Sequence, residues 1–201
     1  MAEKIALSFS GGKDSCLALY RLQEQNMEVS CLVTTVWKEK QKTVAHDEKL
    51  DRIKAQAESF NIPEHFIETD FDTYTHDFVE TLKELKRLYN IDAVAFGDIY
   101  LEGHREWGEQ VAEAAGLKAL YPLWSKKEDA PDLLREFVSL DFKAVVIRVD
   151  DAKLPKEWVG RKLDEAFIQD IREQDVCPMG ESGEYHTTVF DGPIFRYPLR
   201  N

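Results

Sequence analysis

Six consecutive residues, Ser10-Gly11-Gly12-Lys13-Asp14-Ser15, carry the chemistry most readily read from the chain. Gly11 and Gly12 lack a Cβ, so the main chain can turn sharply there and bring its N–H groups against an anion. The hydroxyls of Ser10 and Ser15 can donate to the same oxygens, and Lys13 adds a point charge. Asp14 is a residue type that holds a magnesium ion bridging phosphates. An apolar run over residues 5–9 precedes the loop and a helical pattern follows it. Unpaired amides and the positive end of a helix therefore face one point. The spacing is neither Gly-x-x-x-x-Gly-Lys nor Gly-x-Gly-x-x-Gly, so it is not the phosphate loop of kinases and GTPases or the dinucleotide fingerprint. It predicts a site for the phosphates of a nucleotide, against the alternative of a merely glycine-rich turn.

Two further segments concentrate polar groups. Gly97 and Asp98 follow an apolar strand, at the sheet edge where open α/β folds bind ligands, and Glu102, His104, Arg105, Glu106 and Trp107 come next. Asp98 reads as a ligand group or as a helix N-cap. Arg105 reads as a partner for a phosphate or a carboxylate, or as a surface arginine. In Gly180-Glu181-Ser182-Gly183-Glu184-Tyr185-His186-Thr187 the glycines suit a turn that lets the backbone approach closely, and Glu181 and Glu184 suit a cationic group. The alternative is a solvated acidic turn. His186 is a candidate base or a packed histidine. His46, ahead of a helical pattern, is a candidate for lining an adenosine pocket.

The elements that must position these groups alternate. Apolar strands are expected over 5–9, 29–36, 65–67, 93–96 and 117–123, with helices over 14–25, 47–60, 73–89 and 104–115. Strands that are apolar throughout imply a parallel sheet covered on both faces, a doubly wound α/β domain. Beyond about residue 125 the pattern changes to a helix from Pro131 to residue 140, a strand over 144–149 and a helix over 161–173. A β-hairpin is expected over 185–189 and 194–197 around Asp191-Gly192. The expected division is 1–125 for the nucleotide domain and 126–201 for a smaller α+β lobe closing over it.

Composition narrows the function. Of 201 residues 43% are hydrophobic and 32% charged, ordinary for a soluble protein. No apolar run approaches the roughly 20 residues needed to span a bilayer, no signal peptide is visible, and the expected location is cytoplasmic. The net charge of −12 disfavours nucleic acid as the substrate, since phosphate neutralisation dominates such binding. Cys16, Cys31 and Cys177 show no metal-ligand spacing.

Ser10 to Ser15 resembles the PP-loop of the N-type ATP pyrophosphatases, which share an adenine-nucleotide α-hydrolase, Rossmann-like fold. With the segments 97–107, Gly116-Leu117, Pro122-Leu123-Trp124, 180–187 and Asp191-Gly192-Pro193, the chain resembles the diphthine–ammonia ligase family over essentially its whole length. The resemblance implies a ligase that uses ATP and Mg²⁺ to adenylate a substrate carboxylate, releasing pyrophosphate, and then amidates it with ammonium. Diphthine on translation elongation factor 2 is the family's substrate, and a homodimer is a candidate assembly. On this reading Ser10, Gly11, Gly12, Lys13, Asp14, Ser15, His46, Gly97 and Asp98 bind the nucleotide. Asp14 is the magnesium ligand, and Lys13, Asp14, Arg105 and Glu184 act in catalysis. Glu102, Glu181, Gly183, Glu184 and His186 bind the acceptor. The residues around 99–107 and 185–188 depart from the family's pattern. Three alternatives stand: an amide ligase for another small carboxylate, a tRNA thiolase-like enzyme using Cys16 or Cys177, and a non-catalytic ATP sensor.

Overall fold

The computed structural model describes residues 2–39, 43, 44 and 49–200. Five strands, β1 (Lys4–Ser8), β2 (Glu28–Trp37), β3 (Glu64–Thr69), β4 (Ala93–Ala95) and β5 (Lys118–Leu120), pair in parallel in the order β3-β2-β1-β4-β5. Four helices alternate with them: α1 (Lys13–Glu24), α2 (Leu50–Phe60), α3 (Tyr74–Tyr89) and α4 (Glu102–Ala114). Successive side chains of a strand point to opposite faces. Ile5, Leu7, Leu32 and Ala93 accordingly pack with Leu17, Ile53 and Ala57 of α1 and α2. Ala6, Cys31, Val33 and Val94 pack on the other face with Phe78, Leu82 and Leu85 of α3 and Val111 of α4. Both faces are dry along the central strands β1 and β4, which is why those two are apolar at nearly every position.

The chain builds outward from β1 through β2 to β3, then crosses to β4 and β5 on the other side. Connections leaving the carboxyl ends of β1 and β4 therefore diverge, and such a switch point opens a crevice. Ser10 to Ser15 leave β1 at this crevice, and Gly97 and Asp98 leave β4. A Cβ on Gly97 would sit 3.3 Å from both the Asp14 carbonyl carbon and the Ser15 amide nitrogen, so this glycine lets the two connections touch.

A second unit of sheet, β6 (Lys143–Val149) antiparallel to β7 (Tyr185–Asp191), is flanked by α5 (Ala130–Ser139) and α6 (Glu165–Ile171). Leu133, Phe137, Val146, Phe167 and Val189 join the core on the α1 and α2 side. At that seam Arg21 of α1 pairs with Glu136 of α5 through two nitrogens, its Nε at 3.0 Å, and donates to the Pro122 carbonyl at 2.9 Å. Among the described residues no helix is long and apolar enough to cross a membrane.

Three expectations need correction. The hairpin over 185–189 and 194–197 does not form. β7 takes β6 as its partner, and the tail turns back onto α2, where Arg196 N donates to the Ser59 carbonyl at 3.1 Å and Ser59 Oγ to the Tyr197 carbonyl at 2.8 Å. The helix expected over 161–173 is confined to Glu165–Ile171, because residues 161–163 lie along β6: Val146 N donates to Arg161 O and Leu163 N to Ala144 O. Asp164 then caps the helix by accepting from Phe167 N at 2.9 Å. The strand expected over 117–123 shortens to Lys118–Leu120, an edge with one partner. The start of the helix expected over 47–60 lies outside the described residues; the helix there runs Leu50–Phe60.

β7 also fastens the glycine loop. Val189 N donates to the Gly11 carbonyl at 3.1 Å and Lys13 N to Thr187 Oγ1 at 3.0 Å. The fully buried Gln56 of α2 donates through Nε2 to the Gly11 carbonyl at 2.9 Å and to the Val189 carbonyl at 2.7 Å. Replacing Gln56 with Ala leaves the Val189 carbonyl without this donor and the Gly11 carbonyl with one fewer. Buried orphaned polar groups cost about 1–3 kcal/mol each. Gln56→Ala is expected to lower unfolding free energy by roughly 2–4 kcal/mol in denaturant titration, and to loosen the loop in amide hydrogen exchange.

Candidate active site

The loop begins where β1 runs out of partners. Gly11 holds φ at +79°, the left-handed region, and a Cβ there would lie 2.6 Å from Gln56 Oε1 and 2.7 Å from Ile53 Cδ1. Both conformation and space therefore demand glycine. Ser10 and Ser15 face each other with their Oγ atoms 3.3 Å apart, and Ser15 Oγ donates to the Gly12 carbonyl at 3.2 Å. The first turn of α1 follows, with amides that have no carbonyl four residues back inside the helix.

Beside this turn lies a cavity of about 810 Å³. Ser10, Asp14 and Ser15 line it on the β1 side, Thr34 and Thr35 at the end of β2, Gly97 and Asp98 after β4, and Gly180 to Gly183 with His186 from the second sheet unit. Tyr74, Phe96 and Trp107 add aromatic wall. The floor is hydroxyl and aromatic, the charges are carboxylates, and no Lys or Arg lines it among the described residues.

Asp14 is the innermost of these carboxylates. Its Oδ2 takes Lys13 Nζ at 3.1 Å, while its Oδ1 is buried without a hydrogen-bond partner. Burial raises its pKa, with Lys13 opposing the shift. An orphaned carboxylate oxygen beside a helix mouth, in a cavity whose described lining holds no Lys or Arg, fits a ligand for a hard, oxygen-seeking cation such as Mg²⁺. Lys13 is itself only 2% exposed, its Nζ 4.6 Å above the Tyr185 ring. It neutralises Asp14 from beneath and does not line the cavity.

Glu181 sits at the opposite wall, its Oε1 accepting Ile99 N at 2.8 Å. Burial, then the charge of Asp14, pushes its carboxyl up to about 7. Asp98 Oδ1 meets His104 Nδ1 at 2.9 Å, and that bond raises the histidine's pKa. Asp98, His104 and Glu181 each offer an atom within 4.8 Å of the other two.

Other residues singled out from the sequence stand elsewhere. Arg105 is turned away from the cavity, with Nε on Glu109 at 2.9 Å and its guanidinium 5.0 Å over Trp124. Glu184 is 6% exposed and fully used by main chain, Oε1 accepting Cys177 N at 3.3 Å and Oε2 accepting Ser182 N at 2.9 Å. It shapes the 177–184 turn that carries Glu181. Glu102 is exposed in the first turn of α4 and does not line the cavity. Gly183 and His186 do line it. His46 lies outside the described residues. Sequence reasoning gave no role to Gln56 and Thr187, which hold the loop from 45 and 174 residues away. It also gave none to His104, although its placement two residues beyond Glu102 was a usable signal.

The fold and the site together define a Rossmann-like α/β protein with its ligand crevice at the switch point. Residues 3–119 match the family model of the diphthamide synthase N-terminal domain, and residues 129–200 that of the diphthamide synthase C-terminal domain. The chain belongs to the diphthamide synthase family. It is 26% identical to human diphthine–ammonia ligase over 96% of this chain and 80% of that protein. To the Schizosaccharomyces pombe diphthine–ammonia ligase it is 29% identical over 96% of this chain and 35% of that longer protein. Among solved structures, the U34-tRNA thiolase NcsA from Methanococcus maripaludis with its [4Fe-4S] cluster aligns with 16% identity and a TM-score of 0.44, over 69% of this chain and 57% of that one.

Without nucleotide or divalent cation, the raised Glu181 pKa has a defined consequence. The folded state favours the neutral acid, so the cost of ionising it is absent below the unfolded value of about 4.5, grows as pH rises, and is complete above about 7. Glu181→Gln is expected to stabilise the protein by roughly 1–3 kcal/mol at pH 8. The gain should shrink toward zero near pH 4.5; urea unfolding of both forms across this range measures it.

Proposed function

We propose that this chain is an ATP-dependent ligase that joins a substrate carboxylate to AMP, releases pyrophosphate, and exchanges AMP for the nitrogen of ammonium. One observation carries the reading: in a chain of the diphthamide synthase family, the glycine loop at the switch point opens into the same cavity as the Glu181 wall. Diphthine and ammonium are the favoured substrates, by the names of the relatives, and elongation factor 2 is the proposed carrier of the diphthine. A homodimer and a cytoplasmic location complete the proposal, as does the division into a nucleotide domain over 1–125 and an acceptor lobe over 126–201.

Triphosphate is held by the Asp14 and Ser15 amides in the first turn of α1 and by the Ser10 and Ser15 hydroxyls, with adenosine against the wall at the end of β2. A polyphosphate facing Asp14, Asp98 and Glu181 meets like charge, so a cation is required between them. Asp14 Oδ1 would hold Mg²⁺, which would supply positive charge against the charge that develops at the α-phosphate. Lys13 keeps Asp14 oriented. The loop, pinned by Gln56 and β7, arrives already shaped, so its donors need little rearrangement when the phosphate changes geometry. A substrate carboxylate entering past Gly183 meets the α-phosphorus, the new P–O bond forms as the bond to pyrophosphate breaks, and AMP becomes the leaving group. The acidic wall suits the trimethylammonium that diphthine carries.

The test is pyrophosphate release with ATP, Mg²⁺ and ammonium, screened over diphthine-bearing elongation factor 2 and a panel of small carboxylates. AMP and pyrophosphate are expected in equal amounts, with Asp14→Asn slower by at least about 100-fold, a loss typical of a removed electrostatic stabiliser. Products of ADP and orthophosphate, or an unchanged rate in Asp14→Asn, would sink the proposal.

A further inference from the structure

We infer that Asp98, His104 and Glu181 form the site where ammonium is captured and deprotonated. This rests on the ligase reading above and names the seat of its second substrate. An ammonium ion cannot attack a carbonyl, since its nitrogen has no free electron pair. Between entry and amide it must lose two protons, one before the C–N bond forms and one after. A protein that uses ammonium therefore needs anionic walls to attract the cation and a base within reach of them.

The three groups meet that demand together. Each offers a ligand atom within 4.8 Å of the others, so two carboxylates and an imidazole share one corner of the cavity. The main-chain amide of Ile99 fixes Glu181 through one oxygen. Asp98 accepts from His104 Nδ1 at 2.9 Å, which fixes the tautomer and leaves Nε2 with its electron pair. The His104 side chain is 59% exposed, so a small ion reaches it from solvent and a proton returns there. All three line the cavity that Ser10 and Asp14 line from the other side. The trimethylammonium of diphthine has no N–H to give, so an aligned Asp–His pair serves it no better than a lone carboxylate would.

The step balances. Ammonium gives one proton to His104 Nε2 and keeps the electron pair. The resulting ammonia attacks the acyl carbon, the C–N bond forms, and the C–O bond to AMP breaks with its pair going to the phosphate oxygen. The nitrogen, now cationic, gives its second proton to the Glu181 carboxylate, and both protons pass to solvent. Burial raises the Glu181 carboxyl to about 7, which matches it to this proton transfer.

Hydroxylamine separates this role from all others, because it is unprotonated near neutral pH and needs no base before attack. The acceptor is the carboxylate that supports pyrophosphate release, with diphthine-bearing elongation factor 2 as the first choice. Amide and hydroxamate formation are measured for wild type and His104→Gln, a surface change on α4 that keeps a hydrogen-bonding side chain and removes the base. Ammonium-driven turnover is expected to fall at least about tenfold, at the low end for a lost general base, while hydroxylamine-driven turnover stays within about threefold, so that the ratio carries the result. Parallel loss of both, or loss of neither, overturns the assignment. So does a tightly held divalent metal in the wild type that His104→Gln lacks, because the cluster would then be a metal centre. Wild type that releases no pyrophosphate with any acceptor fails one step earlier and overturns the ligase reading itself.

Discussion

The Gly11 carbonyl is the point on which the rest of this molecule depends. It accepts from Val189 N and from Gln56 Nε2, so one oxygen joins the turn after β1, the helix α2 and the last strand β7. A loop that offers its amides to an anion must have its carbonyls directed elsewhere and satisfied, or burying them would cost more than binding returns. Here Gly11 O is satisfied by β7 and by Gln56 of α2, and Gly12 O by Cys16 N and Ser15 Oγ of α1. The glycine turn is thus a joint between the two sheets, and the sequence before α2 carries only part of it.

That joint explains the placement of charge. Lys13 is the cation nearest the turn, yet it lies beneath it, between Asp14 and the Tyr185 ring, and Tyr185 belongs to β7. Glu184 is spent on the amides of Cys177 and Ser182, which shape the turn that presents Glu181. Neither residue faces the cavity, and both decide what does. The cavity is left with three carboxylates and no Lys or Arg among its described lining residues. Such a wall favours cationic ligands and admits a polyphosphate only with a counter-cation, which is the division of labour expected where one substrate is ATP and the other an ammonium.

Local pattern made much of this legible. Dry strands of both-face apolar character announced a parallel sheet, and the strand–glycines–helix order announced a tight turn into α1, because both follow from short-range sterics and burial. Asp98, read from its place after a strand end, and Glu181, Gly183 and His186, read from the 180–187 segment, all line the cavity. Arg105 was not so readable: an arginine after a strand end has the right chemistry, but helix geometry turns it onto Trp124 and Glu109. The expected hairpin after residue 185 missed for a similar reason. Its alternation was real, but β6 offered a longer apolar partner than the tail did.

The amino-acid sequence by itself determined the alternation of strands and helices, the glycines at the turn and the family the chain falls in. These are properties of neighbouring residues, and backbone sterics and hydrophobic period act at that range. Only the tertiary structure decided that Gln56 and Thr187 hold the loop, that Lys13 and Glu184 lie outside the cavity lining, and that Asp98, His104 and Glu181 share one corner. Those facts depend on which side chains meet across as many as 174 residues of chain, and packing settles that once the whole core has formed.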